Sequence, residues 1–178
     1  MSWNRLAGRG ACVIALGALV VLGGCSQKTQ QQPTPPTASY GFTELTPADR
    51  ERLETQRAIV ADAARDRYGT SALSGSKADL PVLQRLIDDH VFGPEQTYEL
   101  QCLGVAFGDV LASELPLRWV IVTDEYGTDP TLRYKDTTVQ LNALTIISKR
   151  VEAGEPVNLL QLLTMTSREM SELEQEAD

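Results

Sequence analysis

The hydrophobic period of the chain changes at Pro116, and this change constrains the fold more than any other feature. From about Glu95 to Glu114, apolar residues recur every three or four positions, which predicts a helix. Directly after the proline, Arg118 to Thr123 is apolar on both faces and rich in β-branched residues, as expected of a central strand. A chain that makes this switch needs a sheet covered by helices.

Further helices are predicted before this switch. Thr46-Pro47-Ala48-Asp49 combines an N-cap threonine, a proline at the first helical position and an acid at the third, so a helix begins there. Gly69 ends it, and residues 70–78 form a loop of small polar residues. A second helix is predicted over residues 79–90, before the break at Gly93-Pro94.

After the switch, the sequence predicts a small antiparallel sheet and two more helices. A turn over residues 124–127, extended by Asp129-Pro130, leads to short strands at 131–134 and 137–141. The helical period returns near Asn142 and ends at Gly154, and a last helix covers residues 158–174. The fold class is therefore α+β: N-terminal helices, a small antiparallel sheet of about three strands, and C-terminal helices.

The first 24 residues have the layout of a secretory signal peptide. Arg5 and Arg9 precede an apolar run over residues 12–22, which is about half of the roughly 20 residues that a membrane span needs. The tetrapeptide Leu22-Gly23-Gly24-Cys25 follows, and it resembles the lipobox of bacterial lipoproteins, which are cut before the cysteine. By that resemblance Leu22, Gly23 and Gly24 form the cleavage motif, and Cys25 carries diacylglycerol and an acyl chain such as palmitate. The alternative is a single membrane-spanning helix with an incidental cysteine.

The residues after Cys25 bear on localisation. Ser26, in place of an aspartate, resembles the sorting signal for the outer membrane in bacteria with two membranes. The resemblance implies a cell-envelope protein that is lipid-anchored on the periplasmic face of the outer membrane. Residues 27–39 contain three prolines and no large apolar side chain, which predicts a disordered tether. The predicted organisation is a signal peptide (1–24), a lipidated cysteine and tether (25–39), a globular domain (40–165) and an acidic C-terminal helix end or tail (166–178).

Charge and cysteine content limit the possible partners. The formal charge of −8 becomes −10 without Arg5 and Arg9, because residues 1–24 contain no acid. So acidic a protein is repelled by nucleic acid, and we expect a basic partner instead. With Cys12 and Cys25 set aside, only Cys102 remains, so no intramolecular disulfide forms and Cys102 is predicted to be a buried core residue.

Three stretches carry a resemblance to a bacterial family. They are LQCLGVAFGD at residues 100–109, LRWVIVTDEYG at 117–127 and LTIISKRVE at 144–152, and the first helix with Gln56-Arg57 also fits. In this order they resemble the motifs of the family known as domain of unknown function 3806. The resemblance covers roughly residues 45–163 and supports the globular domain. Because no activity is assigned to the family, it implies no catalytic residue.

The sequence contains no recognisable catalytic or metal-binding pattern. His90 is the only histidine and follows Asp88 and Asp89, but consecutive helical residues point about 100° apart, whereas zinc needs three or four convergent ligands. There is no Gly-x-Ser-x-Gly elbow and no glycine-rich phosphate loop. We therefore predict a protein without a metal, a cofactor or enzymatic activity.

One group of residues is a candidate interaction surface, since it places acids and bases near the end of the central strand. Asp124 or Glu125 could act there as a general acid or base if burial raised its pKa. In the simpler interpretation both are turn residues, and the bases offset the negative C-terminal end of a short helix. The group consists of Asp124, Glu125, Tyr126, Lys149 and Arg150.

The leading hypothesis is a lipid-anchored envelope protein whose domain binds another protein or a cell-wall component. In a sharper version, the acidic domain captures a basic periplasmic partner such as a lytic enzyme, in the manner of an inhibitor. Two alternatives remain: an envelope hydrolase that uses Asp124 or Glu125, and a structural or assembly subunit.

Overall fold

Helices and one antiparallel sheet make up the part of the chain that the structure describes. In this computed structural model the described residues are 41–70, 72–125 and 127–177, and they belong to one compact unit. The tetrapeptide predicted to be a lipobox, Leu22-Gly23-Gly24-Cys25, and Tyr126 lie outside the described residues. Among the helices described, none is both long and apolar enough to cross a membrane.

Three α-helices precede Pro116 and three consecutive strands follow it, as the change of hydrophobic period at this proline predicts. The α+β fold class is confirmed. In chain order the elements are β1 (Gly41–Thr43), α1 (Pro47–Tyr68), a 3₁₀ turn (Lys77–Asp79), α2 (Leu80–Asp88), α3 (Thr97–Glu114), β2 (Leu117–Asp124), β3 (Gly127–Tyr134), β4 (Gln140–Leu141), α4 (Ala143–Glu152) and α5 (Leu159–Ala177).

The start of α1 follows the predicted capping signature. The Thr46 hydroxyl accepts a hydrogen bond from the Asp49 N–H at 3.2 Å, and the Asp49 carboxylate accepts one from the Thr46 N–H at 2.8 Å. The Thr46 hydroxyl also donates to the Asp49 carboxylate at 2.7 Å. The two bonds to the carboxylate, that of the hydroxyl first, lower the pKa of Asp49, since they favour its charged form. At the other end Gly69 adopts a φ of 68° and closes the helix, as predicted.

The sheet has the strand order β1-β2-β3-β4, with each neighbouring pair antiparallel. Strand β1 was not predicted, and it pairs Phe42 with Val122 at the edge of the sheet. The prediction that Asp129 and Pro130 extend a turn is wrong, because both lie in β3, where Pro130 faces Ile121. Pro130 precedes the part of β3 that β4 pairs with, so its missing N–H costs no bond to a third strand.

Helix α2 is shorter than the predicted helix over residues 79–90. It ends in a Schellman motif, in which the His90 N–H donates to the Ile87 carbonyl and the Val91 N–H to the Leu86 carbonyl, both at 3.0 Å. His90 takes the left-handed position, with a φ of 51°, that glycine usually fills. Helix α4 ends in the same way, with Gly154 in that position.

Helices α3 and α4 approach each other closely at the two glycines of α3. A Cβ at Gly104 would lie 2.5 Å from the Ala143 carbonyl oxygen and 2.6 Å from that of Leu144. A Cβ at Gly108 would meet the Trp119 ring and the Ala143 side chain. Gly104 and Gly108 are four positions apart, so they share one face of α3, and the remainder of the helix contributes to the core around the fully buried Phe107.

Helix α5 is continuous through Ala177, so the boundary proposed at residue 165 falls inside it. Met170 is buried, and the Glu174 carboxylate accepts hydrogen bonds from the Lys135 ammonium and the Tyr134 hydroxyl, each at 2.8 Å. Those two bonds, the Lys135 bond first, lower the pKa of Glu174.

Candidate functional site

Two of the stretches that carry the family resemblance, 100–109 and 117–127, meet the first helix at Asp109 on α3. Arg57 on α1 donates to both carboxylate oxygens of Asp109, from Nε at 2.6 Å and from Nη2 at 2.8 Å. Trp119 on β2 donates from its indole N–H to Oδ1 at 2.9 Å. A single carboxylate therefore joins a helix, a second helix and the central strand.

The Arg57–Asp109 pair is partly shielded from water. Its side chains are 29% and 18% exposed, and Arg57 also donates to Glu54 at 2.9 Å. The bonds to Asp109 raise the pKa of Arg57 above its ordinary value, so the guanidinium stays charged. With three donors on it, Asp109 is an anchor of fixed geometry rather than a free base.

A cleft of about 560 Å³ opens beside this pair, between α1, α3 and the loop before α2. We call it the α1 cleft. Its floor is made of small side chains, and its charged residues lie on α1, on α3 and at the end of the loop. The lining residues are Glu54, Arg57, Ala58, Ala61, Arg65, Ala72, Leu73, Ser74, Gly75, Asp79, Ala106 and Asp109.

The loop wall of the α1 cleft is held by the buried carboxylate of Asp79. It accepts hydrogen bonds from the backbone N–H groups of Ser74 at 2.8 Å and Gly75 at 2.7 Å, and from the Ser74 hydroxyl at 3.1 Å. Gly75 lies against Asp109, because a Cβ there would be 3.5 Å from the Cβ of Asp109. The wall is therefore fixed before any ligand arrives.

The more buried acids of the α1 cleft already have hydrogen-bond partners. Its two most buried carboxylates, Asp79 and Asp109, each accept three hydrogen bonds, and neither is placed to take a proton from a substrate. Within the described residues, no group of three or more His, Cys, Asp or Glu side chains is arranged to hold a metal ion.

A second concave surface runs along α2, and we call it the α2 groove. It consists of two adjoining clefts of about 650 and 560 Å³, which share Asp88, Pro156 and Val157. One side is α2 and the other is the segment between α4 and α5. The lining residues are Lys77, Leu80, Pro81, Gln84, Ile87, Asp88, His90, Pro94, Val151, Gly154, Glu155, Pro156, Val157, Asn158, Leu159 and Leu160.

Gln84 fixes the two sides of the α2 groove to each other. Its amide nitrogen donates to the Val157 carbonyl at 2.9 Å and to Asp88 at 2.8 Å, and its amide oxygen accepts the Leu159 N–H at 2.9 Å. Leu160 projects from this edge and is 56% exposed. The groove thus combines an exposed apolar side chain with two acids, Asp88 and Glu155, and one lysine, Lys77.

The interaction surface predicted from the sequence lies on two different elements. Asp124 accepts a hydrogen bond from the Gly127 N–H at 3.1 Å in the turn between β2 and β3, where Glu125 is exposed. On α4, Lys149 is exposed, and Arg150 donates to the Ile146 carbonyl at 2.6 Å within its own helix. Neither Asp124 nor Glu125 lines the clefts described above. A shared surface of these residues stays a prediction.

Cys102 is a buried core residue, as the sequence predicts. Burial raises the pKa of its thiol to about 11, and the charge of Glu99 adds to this effect. The side chain of Gln56, which is fully buried on α1, lowers the pKa of the same thiol and so partly offsets these two effects. A thiol with so high a pKa is unreactive at neutral pH.

Sequence reasoning missed both concave surfaces. The one available signal for the α1 cleft was Asp109, a carboxylate inside a helix whose neighbours from Leu100 to Leu111 are mostly buried. A buried acid of this kind needs a partner, and Arg57 on the first helix was a candidate. The α2 groove had no comparable signal, because its two sides are separated by about 70 residues.

The middle of the chain matches a protein family. Residues 79–162 match the family described as "Domain of unknown function (DUF3806)". The DUF3806 match runs from the 3₁₀ turn before α2 to the start of α5, so it contains both sides of the α2 groove. Helix α1, with Gln56 and Arg57, lies before the matched DUF3806 residues.

A solved structure shares the fold. A crystal structure at 1.50 Å resolution of a protein from Bacteroides thetaiotaomicron VPI-5482 is similar to this chain, with a TM-score of 0.65 at 18% identity. The similarity covers 71% of this chain and 47% of that one, so this chain spans about half the length of the similar protein. No curated protein is significantly similar to this sequence.

Proposed function

We propose that this protein is a lipid-anchored envelope protein whose domain binds a basic partner protein and performs no chemistry of its own. The signal-peptide layout and the lipobox resemblance of Leu22-Gly23-Gly24-Cys25 support the anchor. The predicted location is the periplasmic face of the outer membrane. The Pro-rich tether, residues 27–39, would keep the domain within roughly 45 Å of that surface.

The α2 groove is the observation that carries the proposal. Leu160 and Met165 are two of the large apolar side chains that stay more than half exposed, and Leu160 stands at the edge of the groove. Asp88 lines the same cleft as Leu160, together with Lys77, and Glu155 lines the adjoining cleft. An apolar anchor next to acids suits a partner segment that pairs an apolar side chain with a lysine or arginine.

The alternative of a hydrolase that uses Asp124 or Glu125 finds less support. A catalytic acid or base works inside a cleft that holds the substrate. Glu125 is exposed on a turn, and Asp124 receives a backbone hydrogen bond there. No observation favours an assembly subunit over a binding domain.

Photo-crosslinking in the cells that make the protein tests the groove. A photoreactive residue in place of Lys77, at one end of the groove, is expected to give a single partner adduct, whereas the same residue in place of Lys149 gives none. Adding Leu160→Glu should weaken the adduct about tenfold, because it puts a charge on the apolar anchor. Added salt should lower the yield of the adduct as well, since the attraction between the groove and a basic partner is partly electrostatic.

The control is Met165→Glu, which adds the same charge at an exposed apolar position of the same helix outside the groove. It should leave the adduct at position 77 unchanged. An adduct at position 149 alone would move the binding site to the surface predicted from the sequence. If Leu160→Glu and Met165→Glu reduced the yield of the adduct equally, the role of the groove would be refuted.

A further inference from the structure

We propose that the α1 cleft binds a short peptide of about four or five small residues whose amino and carboxyl ends are free. This site is separate from the α2 groove and does not depend on the protein partner proposed above. The inference stands on the spacing of two opposite charges, on the small side chains of the floor, and on the fixed walls.

The two exposed charges of the cleft lie on one face of α1. Glu54 and Arg65 are eleven positions apart, and both line the cleft. At a rise of about 1.5 Å per residue, their backbone positions are separated by about 16 Å. An extended peptide advances about 3.3 Å per residue, so a chain of four or five residues spans that distance.

The charged groups at the two ends each form one ion pair and keep further hydrogen-bonding capacity for a ligand. Glu54 is 71% exposed, and its bond to Arg57 uses one carboxylate oxygen. Arg65 is 56% exposed, and its bond to Asp62 comes from a single Nη2 nitrogen. Glu54 can therefore take an ammonium group and Arg65 a carboxylate, which guanidinium groups bind through two parallel hydrogen bonds.

The space between the two charges is kept open by small residues. Ala58 and Ala61 occupy the face of α1 between Glu54 and Arg65, with Ala72 and Ala106 beside them. The volume of about 560 Å³ lies within the usual range for small-ligand sites. Methyl-sized side chains of a ligand fit over such a floor.

The remaining charges of the cleft are already matched. The Arg57 guanidinium and the Asp109 carboxylate neutralise each other, and Asp79 is held by donors of the loop. Binding thus requires no breaking of these bonds and no reordering of the wall, which lowers its cost. The ligand selected is zwitterionic, with its amino end towards Glu54.

Calorimetry with alanine peptides tests the proposal on the purified full-length protein. Tetra-alanine and penta-alanine with free ends should bind, and N-acetylated, C-amidated peptides of the same lengths should bind at least about tenfold more weakly. Glu54→Gln and Arg65→Gln should each weaken the free peptides about fivefold. Ala61→Leu, which fills the floor, should abolish binding.

Matched controls on the same helix are Glu51→Gln, Arg67→Gln and Thr55→Leu, all at exposed positions outside the cleft. They should bind the free peptides as the unchanged protein does. Equal binding of free and blocked peptides, equal effects of cleft and control variants, or no binding at millimolar peptide would each overturn the inference. None of these results bears on the adduct at position 77. The proposal for the α1 cleft and the proposal for the α2 groove are therefore tested independently.

Discussion

Replacing Asp109 by alanine is expected to lower the free energy of unfolding by about 2–3 kcal/mol. The change removes the acceptor of three hydrogen bonds and leaves the Arg57 guanidinium and the Trp119 indole N–H without their partner. The loss stays below that of a fully buried pair, because both charged side chains keep some contact with water. Urea denaturation monitored by tryptophan fluorescence and by circular dichroism measures it.

The control for this prediction is Glu114→Ala, which removes an exposed acid from the last turn of the same helix. Its free energy of unfolding should stay within about 0.5 kcal/mol of the unchanged protein. A loss at Asp109 as small as that at Glu114 would show that the Arg57–Asp109–Trp119 contacts do not join α1, α3 and β2.

Gly104→Ala should destabilise the domain by about 2 kcal/mol, although alanine is the better helix former by about 1 kcal/mol. The added Cβ would lie 2.5 Å from the Ala143 oxygen and 2.6 Å from the Leu144 oxygen. Both are backbone atoms at the start of α4, so relief requires that two packed helices move apart. Differential scanning calorimetry should show a fall in Tm of several degrees.

Ser113→Ala separates packing from helix propensity, because Ser113 is exposed on the same helix. The substitution also removes the bond from the Ser113 hydroxyl to the Val110 carbonyl at 2.8 Å, so the gain in helix propensity should leave stability equal or only slightly higher. A Gly104→Ala variant more stable than the unchanged protein would contradict the close approach of α3 and α4.

Local signals account for what the sequence predicted correctly. The threonine cap, the proline and the terminal glycine of α1 each act on the few residues beside them. Their effects can therefore be predicted without knowledge of the fold. The β-branched run after Pro116 is similarly local. The spacing of Gly104 and Gly108 places both on one face of α3, but it does not identify α4 as the neighbouring helix.

The missed features depend on contacts between distant parts of the chain. Strand β1 has three residues and no periodicity to detect, and it exists because Phe42 pairs with Val122, 80 positions away. Asp129-Pro130 has turn chemistry, yet its pairing with β2 makes it a strand. Register with a partner strand outweighed local propensity there.

The two candidate sites were not predicted either, because each is formed by residues that are far apart in the sequence. Arg57 and Asp109 are separated by 52 positions, and each alone is an ordinary charged helix residue. The groove side of α2 meets the segment before α5 through Gln84, 73 positions from Val157. The sequence instead favoured acids and bases that are close along the chain, Asp124 and Glu125 beside Tyr126, and Lys149 beside Arg150.

Mass spectrometry of the mature protein, combined with the crosslink at position 77, tests the central claim most directly. The proposal predicts an N-terminal residue that is acylated Cys25, and a partner adduct in the membrane fraction that is lost when Cys25→Ala removes the anchor. An intact N-terminus with an unmodified Cys25, or an adduct that persists unchanged without the lipid, would contradict a lipid-anchored binding domain.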